Sequence, residues 1–287
     1  MTLFSYGADS LPALPQRPQR SNKGSFGRVL CVCGSEGMAG AAYFAAKAAY
    51  RVGAGLVELF TPAVNRPVLQ TLLPEAIVTA YEEEGWKERL ADCLSRADAL
   101  VIGCGLGQTE HARRVLSHTL RHRGEIPTVI DADGLNLLSR HPILMEYAKG
   151  AILTPHLLEL SRLCGKGVEE IQKDVPACAF EFSRKNGVIC VLKDHETAVS
   201  DGGERVYQNT TGNSGMATGG SGDVLAGMIG GLLAQGQNRT LSPFVLATLA
   251  VYLHGLAGDL AAEELGEHSV MASDLLATIP DAMKKIR

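Results

Sequence analysis

Apolar positions along the 287-residue chain fall into two alternating kinds of run. Short, β-branched or continuously apolar stretches predict strands over Arg28–Cys33, Leu56–Phe60, Ala76–Ala80, Ala99–Gly103, Thr128–Asp131, Ala151–Thr154 and Val188–Lys193. Between them, Ala- and Leu-rich stretches with helical spacing predict helices near Ala39–Arg51, Trp86–Ala97, Glu110–His122, His156–Leu163 and Glu169–Lys185. Apolar strands separated by helices imply an α/β fold in which a mostly parallel sheet carries helices on both faces. Near Thr197 the rhythm changes. Two short strands, Thr197–Ser200 and Arg205–Gln208, flank Asp201-Gly202-Gly203, which is a hairpin signal. Helices over Val224–Ala234, Pro243–Leu265 and Ala272–Ile279 follow. No repeat and no low-complexity linker interrupts this order. The chain therefore reads as an N-terminal arm (residues 1–22, punctuated by Pro12, Pro15 and Pro18) and one domain over residues 23–287.

Composition narrows the class. Apolar residues make up 46% and charged residues 20%, which excludes disorder. A net charge of −4 leaves no basic footprint for nucleic acid or an anionic membrane. Phe244–Leu253 is too short to span a bilayer, and the polar N-terminus lacks the apolar core of a signal peptide. The seven cysteines form no Cys-x-x-Cys pair, as expected of reduced thiols in a cytoplasmic protein. No metal cluster is predicted. His111, His118, His122, His141, His254 and His268 show no ligand spacing and receive no role. The 32 glycines are an excess that belongs in loops with unusual backbone or close ligand approach.

The glycines gather where strands end, which is where α/β folds bind ligands. The strongest signal is Asn213-Ser214-Gly215-Met216-Ala217-Thr218-Gly219-Gly220-Ser221-Gly222-Asp223, directly before a helix. Small residues at a helix start let N–H groups converge on an anion, and the helix dipole adds positive charge there. Asp223, in the first turn, would repel a phosphate as a ligand. It suits instead the orientation and deprotonation of a hydroxyl attacking a phosphoryl group. The bland alternative is an N-capping Asp after a flexible loop. The absence of Gly-Lys-Ser/Thr excludes a Walker motif.

Four further segments carry candidate chemistry. Gly34-Ser35-Glu36-Gly37-Met38-Ala39-Gly40-Ala41 would let a substrate lie against backbone, or would serve only strand–helix packing. Gly103-Cys104-Gly105-Leu106-Gly107 lacks the third glycine of a dinucleotide fingerprint, so it reads as a loop for close ligand approach. In Thr154-Pro155-His156, Pro155 is placed at N1 and His156 in the first helical turn; Asp131 and Asp133 end another strand, where they hold substrate hydroxyls or cap a turn. Lys193-Asp194-His195-Glu196-Thr197 places a cation at a strand end near a nucleotide, or is a solvated loop.

In this order the motifs resemble the ADP-dependent NAD(P)H-hydrate dehydratases of the ribokinase-like superfamily. The resemblance runs from Lys23-Gly24-x-Phe26-Gly27-Arg28 through Asp131-Ala132-Asp133-Gly134-Leu135-Asn136 and the Gly215–Asp223 segment to Ala272-x-Asp274-Leu275-Leu276. It implies that Ala41, Gly105 and His156 contact the hydrated nicotinamide nucleotide. It implies that Lys193, Asp194, His195, Glu196 and Thr197, with Asn213, Ser214, Gly215, Met216, Ala217, Thr218, Gly219, Gly220, Ser221 and Gly222, form the adenine-nucleotide site, and that Asp223 faces the acceptor hydroxyl. Asp194 stands where the family commonly has glycine. The resemblance also implies Mg2+ held mainly by phosphates and water, ADP or ATP as phosphoryl donor, a homotetramer, and a stand-alone form without the epimerase unit that precedes this one in many members. Phosphoryl transfer to the C6 hydroxyl of hydrated NADH or NADPH, then phosphate elimination, is the expected chemistry. The alternatives are a kinase of a hydroxyl-bearing vitamin precursor, a non-catalytic nucleotide sensor, and a Rossmann oxidoreductase.

Overall fold

A computed structural model describes residues 1–7 and 9–286. In chain order the elements are β1 (Thr2–Phe4), β2 (Arg28–Val32), α1 (Ala39–Arg51), β3 (Leu56–Pro62), α2 (Arg66–Leu72), β4 (Ile77–Tyr81), α3 (Trp86–Ser95), β5 (Ala99–Ile102), α4 (Glu110–His122) and β6 (Thr128–Ile130). They continue as α5 (Asp133–Arg140), β7 (Ile152–Leu153), α6 (Leu157–Cys164), α7 (Val168–Gln172), α8 (Val175–Asn186), β8 (Ile189–Leu192), β9 (Ala198–Ser200), β10 (Arg205–Gln208), α9 (Ser221–Ala234), α10 (Pro243–Leu265) and α11 (Ala272–Met283).

The strands form one sheet in the order β1-β10-β9-β8-β7-β6-β5-β2-β3-β4. Among the described residues only β9 runs antiparallel to its neighbours. Strand alternation divides the core. On β2 and β5, Val29, Cys31, Ala99 and Val101 face a cluster with α1, α9, α10 and α11, whereas Leu30, Val32, Leu100 and Ile102 face α3, α4 and α5. This is the predicted α/β architecture with helices on both faces. By length and composition α10 could cross a bilayer, yet 72% of its most apolar stretch is buried within the fold against α9 and α11.

Helix α9 packs unusually close to its neighbours. A Cβ on Gly227 would stand 2.1 Å from the Ala45 carbonyl oxygen of α1, and one on Gly230 would stand 2.3 Å from Val101 Cγ2 of β5. These positions hold glycine because backbone and side chain of the partners already fill the space.

One buried charge lies on the opposite face. Glu58 of β3 is fully buried and accepts from Arg28 (3.0 Å), Arg96 (2.8 Å) and Thr79 (2.6 Å). Burial alone would raise its pKa, but the hydrogen bonds from Arg96, Thr79 and Cys93 outweigh that and bring it down to about 2.

Several elements depart from the sequence pattern. The N-terminal arm supplies β1, which pairs with β10; a three-residue strand is too short for periodicity to register. Helices α2 and α5 fall in stretches for which the apolar pattern predicts no element. The predicted helix over residues 169–185 is two helices, because Asp174 caps a new one with Pro176 in its first turn. Helix α9 begins three residues earlier than predicted, at Ser221. The helix after β7 begins at Leu157, with His156 as its N-cap, so Pro155 is not at N1.

The α1–α9 contact predicts that Gly227→Ala destabilises the protein. Ala is the better helix former by about 1 kcal/mol, yet the clash with Ala45 costs about 1–3 kcal/mol and forces the helices apart. A urea unfolding midpoint lower than that of the unsubstituted protein is expected; an equal or higher midpoint overturns this packing.

Candidate active site

The chain reaches the sheet edge at β4 and returns to β5 beside β2, so the loops after β2 and β5 diverge at a topological switch point. Their bases are tied together: Gly34 N–H donates to the Cys104 carbonyl (2.9 Å) and Gly103 N–H to that of Val32 (3.3 Å). Gly105, at φ +60, approaches α1 so closely that a Cβ would stand 2.8 Å from that of Ala41. Ala41 and Gly105 therefore form one wall. Asp133 closes the loop from below, accepting from Gly107 N–H and Gln108 Nε2 (both 2.8 Å). Its place is thus structural rather than a free carboxylate for hydroxyls.

The chemical centre lies where α9 begins. Gly220 is the N-cap and has no side chain to cap with, so Asp223 at the third helical position is not a cap. Cys104 Sγ and carboxylate oxygens of Asp131 and Asp223 all lie within 4.8 Å of one another. Lys193, at the end of β8, donates from Nζ to Asp131 Oδ1 at 2.8 Å. A Cβ on Gly222 would stand 3.2 Å from that ammonium, so Lys193 lies directly under the first turn of α9. Ala132, between the two acidic residues, is the only non-glycine with positive φ (48°) among the described residues. Such strain costs about 1–3 kcal/mol and persists only where surroundings impose it.

Electrostatics set these groups apart. Burial and the nearby Asp131 charge push the Asp223 carboxyl up to about 7, against the opposing pull of the Cys104 thiol and Lys193. Glu159 rises to about 7 for the same leading reason, burial, reinforced by Asp131. Burial would lower the Lys193 pKa, but Asp131 and Glu159 outweigh it and keep the ammonium charged. The Cys104 thiol is held well above its ordinary value by its bond to Cys33 and by burial, so it stays protonated.

His156 joins this centre through a parallel bridge between its own residue and Lys193. Its Nδ1 accepts the backbone N–H groups of Leu158 (3.2 Å) and Glu159 (3.4 Å), while Glu159 Oε2 accepts the His156 N–H (2.9 Å). With Nδ1 occupied as acceptor, the neutral ring carries its proton on Nε2, which lies 3.5 Å from Glu159 Oε1. Burial, then Lys193, lowers its pKa and favours that neutral form.

The glycine-rich segment wraps around the start of α9. The Asn213 side chain accepts from Gly215 N–H (3.0 Å) and donates to Asp259 (3.0 Å), and Ser214 hydrogen-bonds Glu267. Met216 packs against Gly258 of α10, and Ala217, Thr218 and Gly219 lead to Gly220 and Ser221. His254, given no role from the sequence, lies beneath: its buried Nε2 donates to the Ser221 carbonyl at 3.0 Å, and burial lowers its pKa to about 4. Beyond Lys193 the segment turns outward. His195 is exposed beside Asp194 (3.4 Å), Glu196 bonds Gln208, and Thr197 donates to the Asp194 carbonyl (3.3 Å). Only Lys193 of that motif reaches the Asp131–Asp223 centre. Glu159 and Cys104 receive no role from the sequence; neither residue type signals its position without knowing that three strand ends converge.

Comparison with known proteins finds relatives over nearly the whole chain. The NAD(P)H-hydrate dehydratase family profile matches residues 29–281. A bifunctional NAD(P)H-hydrate repair enzyme of Coxiella burnetii is 40% identical over 264 residues, covering 92% of this chain and 52% of that protein. The chain spans about half the length of such bifunctional relatives. An ADP-dependent (S)-NAD(P)H-hydrate dehydratase of Neisseria meningitidis is 39% identical over 91% of this chain and 84% of its own. The ADP/ATP-dependent NAD(P)H-hydrate dehydratase of Bacillus subtilis, co-crystallised with ATP/Mg2+, superposes with a TM-score of 0.81 at 33% identity, covering 96% of this chain and 95% of the other.

The coupling of Asp131 to Asp223 is directly measurable. Asp131→Asn removes a like charge and releases Lys193, and both effects lower the Asp223 pKa. Carboxyl resonances of 13C-labelled aspartate should show its titration midpoint moving down from about 7. An unmoved midpoint overturns the coupling.

Proposed function

The chain belongs to the NAD(P)H-hydrate dehydratase family, and on that premise we propose that it returns the S-epimer of hydrated NADH or NADPH to the reduced nucleotide, consuming ADP. The observation that carries this reading is Asp223, a carboxylate poised near neutrality in the first turn of α9 with Lys193 beneath it. Crevice residues Ala41, Gly105 and His156 receive the hydrated nicotinamide, His156 offering its Nε2–H to an acceptor. The Asn213–Gly222 segment and the Lys193–Thr197 strand end receive the adenine nucleotide.

Asp223 orients the C6 hydroxyl and takes its proton as the oxygen attacks the terminal phosphorus of ADP, releasing AMP. The glycine-rich segment and Lys193 stabilise charge on the transferring phosphoryl. The lone pair of the ring nitrogen then expels phosphate, and loss of a proton from the adjacent carbon restores the dihydronicotinamide. Atoms balance as hydrate and ADP giving NAD(P)H, AMP and phosphate. Two carboxylates suit a hard ion, but Lys193 already engages Asp131 and the Cys104 sulfur is a poor partner for one. This donor set fits Mg2+ bound through Asp223 and Asp131 by way of water and phosphate oxygens, where it would neutralise phosphate charge.

A kinase of a vitamin precursor would share the same Asp and glycine segment; family membership favours the dehydratase. A cytoplasmic, homotetrameric protein completes the proposal. Six of seven thiols are buried and free, which suits a reducing compartment. Val64 just before α2, Val68 and Leu72 on α2, and Ile77 on the edge strand β4 are exposed apolar residues, a face that a second copy would cover.

Purified hydrated NADH with Mg2+ should regain its reduced-nicotinamide absorbance only when ADP or ATP is added, with phosphate released in step. Asp223→Asn should cut turnover by about 10²–10⁴-fold, the range for losing a general base, while nucleotide binding by calorimetry is kept. Because Asp223 must be deprotonated to act, wild-type kcat/KM should fall as pH drops below about 7. A stable phosphorylated product without absorbance recovery would favour the kinase instead.

A further inference from the structure

We propose that Asp259 of α10 is a positioning residue for ADP: its carboxylate holds the start of the glycine-rich segment in the shape that receives the nucleotide. The inference rests on the reading of Asn213–Gly222 as the adenine-nucleotide site and concerns a residue outside it. Both carboxylate oxygens are engaged. Oδ2 accepts the Gly212 N–H at 2.9 Å, and Oδ1 accepts from Asn213 Nδ2 at 3.0 Å. With its nitrogen held there, the Asn213 amide turns its oxygen to the Gly215 N–H at 3.0 Å. One carboxylate thus sets the backbone from Gly212 to Gly215.

Helix α10 is the bed on which this segment lies. Thr211 Oγ1 donates to the Tyr252 carbonyl at 2.8 Å. A Cβ on Gly255 would stand 2.3 Å from that hydroxyl, and one on Gly258 would stand 2.2 Å from Met216 Sδ. Tyr252, Gly255 and Asp259 are spaced by three and four residues, which puts them on one helix face. Among the described residues, Asp259 and His254 are the α10 side chains that hydrogen-bond Gly212–Ser221, Asp259 at its start and His254 at its end. Gly212 itself holds φ +105, a backbone that L side chains rarely adopt. A stretch with glycine at 212, 215, 219 and 220 samples many conformations unless it is tied, and ligand binding would then bear the entropy of ordering it. Apparent affinity scales with the fraction of molecules already in the competent shape. Bonds to a carboxylate are stronger than those between neutral groups, so Asp259 suits this task.

Donor and acceptor logic supplies the test. Asp259→Asn keeps an acceptor for Gly212 but sets its amide nitrogen against that of Asn213. Asn213→Asp sets two carboxylates against each other. The double variant, Asn213→Asp with Asp259→Asn, restores every pairing at unchanged net charge. Calorimetry with ADP and Mg2+ on the full chain should show each single variant binding at least about tenfold more weakly, and the double variant returning to within about threefold of the unsubstituted protein. In turnover of hydrated NADH, the KM for ADP should rise in Asp259→Asn by more than kcat falls. A purely structural role would instead lower the folded fraction, and so the binding stoichiometry and kcat, without raising KM. Unchanged ADP affinity in Asp259→Asn, a change confined to kcat, or a double variant no better than the weaker single one overturns the inference. An unsubstituted protein that binds no ADP overturns the nucleotide site itself, and this inference with it.

Discussion

Everything chemical in this protein depends on how closely α9 lies against α1 and the sheet. Gly227 and Gly230 remove the side chains that would hold α9 away from Ala45 and Val101. At that distance the first turn of α9 falls at the switch point between β2 and β5, where both strand-end loops open. A helix N-terminus carries partial positive charge only within about its first turn, so a helix displaced by a side chain's width would aim its dipole past the crevice. The packing layer and the site are therefore one constraint: small residues on the buried face of α9 fix where its N–H groups and Asp223 point.

Two desolvated carboxylates show how the same fold tunes acidity in opposite directions. Glu58 lies in the core with two guanidiniums, a hydroxyl and a thiol around it, and is held ionised at about 2. Asp223 shares a single ammonium with Asp131, and Lys193 spends its short hydrogen bond on Asp131. One positive charge between two carboxylates leaves the second poorly compensated, and burial then raises it to about 7. The linkage signs follow. Glu58 contributes stability at pH above its unfolded value near 4.3, lost as pH falls toward 2; Asp223 contributes stability below its unfolded value near 3.9, lost as pH rises through 7. A group ready to accept a proton at neutrality is thus one that the folded state ionises reluctantly, and the strain at Ala132 adds to that cost.

Much of this was legible in residue order. Continuous apolar runs marked most central strands, and helices α1, α4 and α10 have the bounds that periodicity predicts. Asp223 and the glycine segment stood out because a helix start, glycine density and an acidic residue coincide locally. What stayed hidden depends on long-range register. The partnership of Asp131 with Lys193 spans 62 residues, and nothing in Val129-Ile130-Asp131 reveals that β8 will end beside it. Asp133 looked equivalent to Asp131, yet the Gly107 N–H and the Gln108 side-chain amide consume it. His254 gave no local sign, since its partner is a carbonyl 33 residues away. The break at Asp174 was readable from Asp-x-Pro, but its weight against a continuous amphipathic pattern was not.

His156 shows how a capping bond can decide chemistry. A histidine at a strand end invites assignment as a general base, and a lowered pKa would suit that role. The cap of α6 consumes the Nδ1 lone pair with two backbone donors, and the neutral ring must then carry hydrogen on Nε2. Neither nitrogen is left with a free pair, so this imidazole can recognise an acceptor but cannot take a proton without releasing its helix. Base chemistry at the crevice falls to the carboxylates, of which Asp131 is paired with Lys193 and Glu159 is held by the His156 N–H. On the proposed reading, Asp223 has the position, the acidity and the helix dipole that deprotonating an attacking hydroxyl requires, and His156 a recognition role.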